Sequence, residues 1–244
     1  MIRPNIIKII CHDIGKHLGC YGIKSVSTNA IDRLSKEGVL FNNAFATSSG
    51  CSPSRAAIAT GRYPHNTGVL GLAHAHFGWS LDKKINHIAR YFSSNDYNSI
   101  LFGLQHVTYH VETLGFNKIF PERPADDVVK NITDNIDNKL FKKPFYAEVN
   151  FFEPHRPFDY GGVKPFKSKG IFIPKYIPNN RYSKKEFAAM QGAIKKMDES
   201  VAKIINILKE KNLYENTIII FTTDHGIPFP KAKGTLYDSG IETS

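Results

Sequence analysis

Apolar residues recur along the chain in two rhythms that alternate. Residues 5 to 11, NIIKIIC, form an almost unbroken β-branched run, the pattern of a strand buried on both faces of a sheet. YNSILFG at 97 to 103, FYAEVNFF at 145 to 152 and NTIIIFTTD ending at Asp224 read as a second, third and fourth strand. Helical periodicity lies between them. A short helix is predicted over residues 29 to 37, with Ile31 and Leu34 on one side; another follows Pro53, and another spans 82 to 94. The longest covers 184 to 211. There Phe187, Met190, Ile194, Met197, Val201, Ile204 and Leu208 recur at helical spacing behind a capping box of Ser183 and Glu186. Residues 39 to 46 read as extended, and 156 to 182, rich in Pro, Gly, Lys and aromatic residues, as a long surface loop.

Strands alternating with helices predict an α/β fold: a mostly parallel central sheet with helices on both faces. Ligands in such folds bind outside the carboxyl ends of the strands. Polar residues collect at those ends. His12 and Asp13 follow the first strand, His106 the second, Glu153 and His155 the third, Asp224 and His225 the fourth. Any one of them alone reads as a loop or cap residue; together they point to a site.

The 244 residues suit one sizeable domain, and 41 % hydrophobic with 22 % charged residues is a globular composition. No apolar run is long enough to span a membrane. The start, MIRPNIIKIICHD, lacks the features of a signal peptide, so the chain as it stands reads as cytoplasmic; a leader ahead of it would make it periplasmic or secreted. The net charge of +10 suits an anionic partner, yet much of it lies in stretches such as KKEFAAMQGAIKK, where a solvated helix face explains it. No basic-aromatic nucleic-acid motif is present, so neither nucleic acid nor a membrane is an expected partner. Three cysteines, Cys11, Cys20 and Cys51, form neither a metal pattern nor an even disulfide set.

One cysteine stands apart. In CSPSRAAIATG, residues 51 to 61, Ser52 can cap a helix and Pro53 suits its first turn. Cys51 would then sit at the positive end of a helix dipole, with Arg55 adding a fork of donors. That arrangement favours an oxyanion beside a nucleophile; a buried cysteine at an ordinary helix start is the other reading.

Cys51-Ser52-Pro53-Ser54-Arg55, continuing to Thr60-Gly61, resembles the sulfatase signature C-x-P-S-R-x-x-x-x-T-G at every fixed position. KGTLYDSG at 233 to 240 resembles the second signature of that family, and FTTDHG at 221 to 226 its metal-binding strand end. CHDIGKHLGCYG near the start and FEPHRPF at 152 to 158 extend the likeness to sulfamidase-like bacterial members. The resemblance runs from about residue 5 to residue 244 and identifies the whole chain as the N-terminal catalytic domain of a formylglycine-dependent sulfatase of the alkaline phosphatase superfamily. Family members usually continue past the second signature into a smaller C-terminal domain, whereas this sequence stops at Ser244.

The resemblance implies hydrolysis of a sulfate ester or N-sulfate, with a sulfated carbohydrate as substrate. It implies that a separate maturase oxidises Cys51 to formylglycine, whose hydrate attacks sulfur. Arg55 would hold that hydrate. Asp13, Asp224 and His225, with residue 51, would ligate a divalent cation, usually calcium. One of His106 and His155 would be the general acid, and Lys233 would contact the sulfate. The chain departs from the family at three places, one of them His225, where Asn is also common and His is tolerated. His12 stands where the family begins an aspartate pair, so it either joins the ligands of a different metal or lies outside the set. The family's Gly-Lys-x-His reads Gly103-Leu104-Gln105-His106, which removes a sulfate-contacting lysine and leaves its role to another lysine or to Gln105. A phosphodiesterase or phosphonate hydrolase of the same superfamily, and a non-catalytic remnant that binds anionic glycans, are the competing expectations.

Overall fold

The computed structural model describes residues 3–74, 76, 78–142 and 144–244. In chain order its strands and α-helices are β1 (Asn5–Cys11), α1 (Asn29–Glu37), β2 (Ala44–Phe45), α2 (Cys51–Thr60), α3 (Ile88–Ser93), β3 (Asn98–Gly103), β4 (Lys118–Phe120), α4 (Ala125–Asn135), β5 (Phe145–Asn150), α5 (Arg181–Glu210), β6 (Thr217–Thr223), α6 (Asp238–Ile241) and β7 (Glu242–Thr243). A five-stranded sheet has the order β4-β3-β5-β1-β6, with every neighbouring pair parallel. Helices α1, α4 and α5 cover one face, and α2 and α3 lie on the other. This is the predicted α/β architecture.

The core follows from strand alternation. Ile7, Ile9, Ala147, Val149, Ile100 and Phe102 point towards α4 and α5, where they meet Met190, Ile194, Met197, Val201 and Ile204. The opposite face of β5 carries Tyr146, Glu148 and Asn150, all buried under the α2 side. Strand β6 is an edge, and Ile218 and Ile220 are 49 % and 45 % exposed, so the fourth strand is not covered on both faces as its apolar run suggested.

Several boundaries differ from the sequence expectation. Helix α5 begins at Arg181, capped by Asn180, whose side chain accepts from Tyr182 N at 2.9 Å and Ser183 N at 3.0 Å. Ser183 is therefore inside the helix, and Glu186 pairs with Arg156 instead of closing a capping box. Helix α2 begins at Cys51 with Gly50 as its cap, because the Ser52 hydroxyl accepts from Ala73 N at 3.0 Å. Only Ile88–Ser93 of the span 82 to 94 is helical; Asp82 turns the chain by accepting from Lys84 N, and His87 Nδ1 caps α3 by accepting from Ala89 N. Of residues 39 to 46 only Ala44–Phe45 pairs as a strand, antiparallel to β7. Strand β4 and helix α4 were not anticipated. The first is three residues long, and the apolar side of the second is only Ala125, Val128, Val129 and Ile132 among polar neighbours. Among the described residues no helix is long and apolar enough to cross a membrane.

Candidate active site

The carboxyl ends of β1 and β6 lie side by side, and Asp224 N donates to Cys11 O at 3.1 Å, so His12-Asp13 and Asp224-His225 leave the sheet together. Asp224 is fully buried. Its Oδ1 accepts from Asp13 N at 3.0 Å, and its Oδ2 lies 3.0 Å from both Arg55 Nε and His12 Nδ1. Burial alone would push its pKa up, but the electrostatic pull of His225, Arg55 and His12 outweighs that and holds it well below the ordinary carboxylate range. Asp13 adopts φ +53°, a conformation that turns its carboxylate back over the strand ends. Lys233 Nζ lies 2.9 and 3.0 Å from its two oxygens, His225 Nε2 3.2 Å from Oδ1, and His155 Nε2 3.9 Å from Oδ2. Burial opposes the charge on Lys233, but Asp13 outweighs it and raises the ammonium's pKa.

Cys51 is the first residue of α2 and buried, with Sγ 3.3 Å from His225 Nε2. A helix N-terminus favours a thiolate. Here desolvation, followed by the charges of Asp224 and Asp13, pushes the thiol up to about 12, beyond what Lys233 and Arg55 offset. The unmodified cysteine is therefore a protonated, poorly nucleophilic group at neutral pH. Ser54 Oγ donates to Asp224 O at 2.5 Å, and Gly234 N donates to Ser49 O at 3.0 Å. These bonds tie the start of α2 to the end of β6 and to the Lys233 loop.

The histidines form the opposite wall. His12 stacks edge-on against His106 and His155, with ring centroids 5.2 and 5.1 Å away. Burial, then Arg55, lowers His12 to about 4; burial, then His12, lowers His106 to about 2. Both are neutral imidazoles at pH 7. His155 is more open: its Nδ1 is 2.5 Å from Arg156 O, leaving Nε2 towards the site. Apart from Glu153, every site residue expected from the sequence therefore lies in one cluster. Glu153 does not join it; its carboxylate accepts from Ala125 N at 3.0 Å and fixes the start of α4. Gln105 cannot replace the missing lysine, because its Oε1 accepts from Val107 N and Thr108 N and its Nε2 donates to Thr108 O. Leu104 is buried as an ordinary apolar side chain.

Two residues were missed. His74 lies with its ring 4.4 Å from that of His106, and no motif marks it. Asn150 accepts from Arg55 Nη1 at 2.8 Å. The signal for Asn150 was present: Tyr146, Glu148 and Asn150 put a polar residue at every second position of an otherwise apolar strand.

His12, Asp13, Cys51 and Asp224 can each direct one ligand atom to a common point, these atoms lying within 4.8 Å of one another. His12 Nε2 is buried without a hydrogen-bond partner. A divalent cation fits this donor set, in which His12 is included.

A family model described as Sulfatase matches residues 4–243. The chain is 27 % identical to human N-sulphoglucosamine sulphohydrolase over 272 residues, covering 98 % of this chain and 54 % of the relative. It is 30 % identical to an ulvan-active sulfatase of Formosa agariphila over 278 residues, covering 99 % of this chain and 46 % of the relative. The chain thus spans about half the length of the curated relatives it matches. Among solved structures, one from work on glycosaminoglycan metabolism by Bacteroides thetaiotaomicron superposes with a TM-score of 0.82 at 18 % identity, covering 99 % of this chain and 66 % of that one, a likeness of fold. With a family match over nearly its full length and the strand-end cluster behind it, the chain belongs to the sulfatase family.

Proposed function

We propose that this chain carries the catalytic core of a hydrolase that cleaves sulfate esters or N-sulfates of a sulfated carbohydrate, with residue 51 as the nucleophile after conversion to formylglycine. The observation that carries the reading is Cys51 itself. It sits at a helix start, 3.3 Å from His225, where burial first and then Asp224 and Asp13 hold its thiol protonated, a poor nucleophile as cysteine and well placed as a precursor. The relatives that act on sulfated sugars support the substrate class.

Formylglycine, made by a separate maturase, would supply the attacking oxygen when hydrated. A divalent cation held by Asp13, Asp224, His225, His12 and residue 51 would supply positive charge at that oxygen. Calcium is the ion usual in the family, while the nitrogen donors His12 and His225 favour manganese or zinc. The chain's own residues do the rest. Arg55, anchored at Nε and Nη1, presents Nη2, which has no hydrogen-bond partner, to an anionic oxygen. Lys233 adds a second positive charge where the transferring group gains negative charge. His155, the most open of the wall histidines, delivers the proton to the departing oxygen or nitrogen through Nε2. Neutral His106 and His12 shape the pocket without adding charge.

The test is the mass of the tryptic peptide Glu37 to Arg55 from protein made beside a sulfatase maturase, followed by release of nitrophenol from paired sulfate and phosphate esters. Formylglycine at residue 51 and sulfate release are expected. Phosphate release alone would transfer the site to the phosphonate and phosphodiester branch, the reading that His12 favours; an unconverted cysteine and no turnover would make the chain a glycan-binding remnant.

A further inference from the structure

Beneath the site lies a buried polar chain that sulfur chemistry does not require. Lys8 on β1 stands opposite Glu148 on β5, and its Nζ is 2.9 Å from Glu148 Oε2. Tyr146 OH donates to the same oxygen at 2.8 Å, and Asn150 Nδ2 donates to Glu148 Oε1 at 3.3 Å. Asn150 Oδ1 then accepts from Arg55 Nη1 at 2.8 Å, and Arg55 Nε reaches Asp224 at 3.0 Å. Lys8, Tyr146, Glu148, Asn150 and Arg55 are all 5 % exposed or less. Burial alone would raise the Glu148 carboxyl; Lys8 and His87 outweigh it and bring it to about 2.

Such a chain needs a reason. Buried ion pairs are a poor source of stability, since desolvation opposes most of the attraction, and a sheet interior is more simply filled with apolar residues. What a connected polar network does well is fix one geometry. A guanidinium on a helix can rotate about several bonds. Asp224 alone holds only its Nε edge, and Asp224 is shared with Asp13, His12 and His225. Asn150 supplies the second anchor on a different nitrogen, and two anchors on a planar fork leave one orientation.

We infer that Asn150, oriented by Glu148 and through it by Lys8 and Tyr146, is the positioning residue that aims the free Nη2 of Arg55 at the reacting group. The inference rests on the role of Arg55 proposed above. The fixed element is the central strand β5, so the aim of Arg55 is set from inside the sheet and not by the loops of the site.

The test follows the Arg55 Nε–H signal by nitrogen NMR, assigned by its loss in Arg55→Lys, together with kcat and KM on a nitrophenyl sulfate. Asn150→Leu keeps the volume and removes the acceptor. Hydrogen exchange at Arg55 Nε–H should quicken by about tenfold or more, the worth of one charge-assisted hydrogen bond. Turnover, kcat, should fall by a similar factor with KM nearly unchanged. The paired change E148Q with N150D moves the negative charge by one step and preserves both contacts, so it should restore slow exchange to within about threefold of the parent. Unchanged exchange and kcat in folded Asn150→Leu would overturn the inference; if that variant does not fold, fast exchange in the paired variant does so. If the parent turns over no ester yet Asn150→Leu quickens exchange, the positioning role stands and the sulfatase reading is what fails.

Discussion

Cys51 shows how far a side chain's surroundings can reverse its expected chemistry. Helix starts lower thiol pKa values, but burial first, and then the charges of Asp224 and Asp13, raise this one. The same carboxylates suit the proposed metal site. Asp13 and Asp224 both lie against positive partners, Lys233 and Arg55, which offset part of their repulsion until a cation arrives. Adding calcium, manganese or zinc should therefore raise the thermal midpoint by mass action, and the ion giving the largest shift identifies the preferred metal. Asp224→Ala should abolish the shift for every ion; a shift that survives in this variant would place the cation elsewhere.

The helices and strands were legible where their apolar pattern was long. Strands β1, β3, β5 and β6 and helices α1 and α5 stand within a few residues of expectation because each carries a clear apolar pattern. What failed was local competition between caps. Ser183 is a sound cap by sequence, but Asn180 three residues earlier takes two backbone N–H groups and extends α5 by a turn. Asn180→Ala should lower stability by about 1 kcal/mol, and Ser183→Ala by a few tenths, in denaturant melts. The reverse order would restore the capping box. Gly103 ends β3 at φ +87°, and a Cβ there would fall 1.8 Å from Asn150 O. The glycine before Leu104 thus lets the His106 loop cross close to the strand end that carries Asn150.

Across the molecule, stability near neutral pH depends on histidines folded in their neutral form. His17, packed between Phe172 and Phe187, is lowered by burial from 6.5 to about 4. Its folded pKa lies below its unfolded one, so between these values the unfolded chain binds more protons and stability falls as pH falls from about 6.5 towards about 4. The loss from this residue reaches at most about 3 kcal/mol at the acid end. His17→Phe should flatten the acid limb of stability against pH without changing the midpoint order above pH 7; an unaltered slope would mean that His17 titrates freely in the fold.

Motif and period carried the rest of the way in different measure. The alternation of buried strands with amphipathic helices determines a parallel α/β sheet, and strand ends in such a sheet must converge. His12, Asp13, His106, His155, Asp224 and His225 were therefore readable from chain position, and Cys51, Arg55 and Lys233 from their signatures. Tertiary contact decided how the members divide the work. Glu153 went to cap α4 and Gln105 to brace a turn, while Asn150, with no motif of its own, came to anchor Arg55. The reason is physical: period and spacing specify which face a residue occupies, whereas hydrogen-bond partners and charge state depend on distances of a few ångströms between segments as far apart as residues 13 and 224.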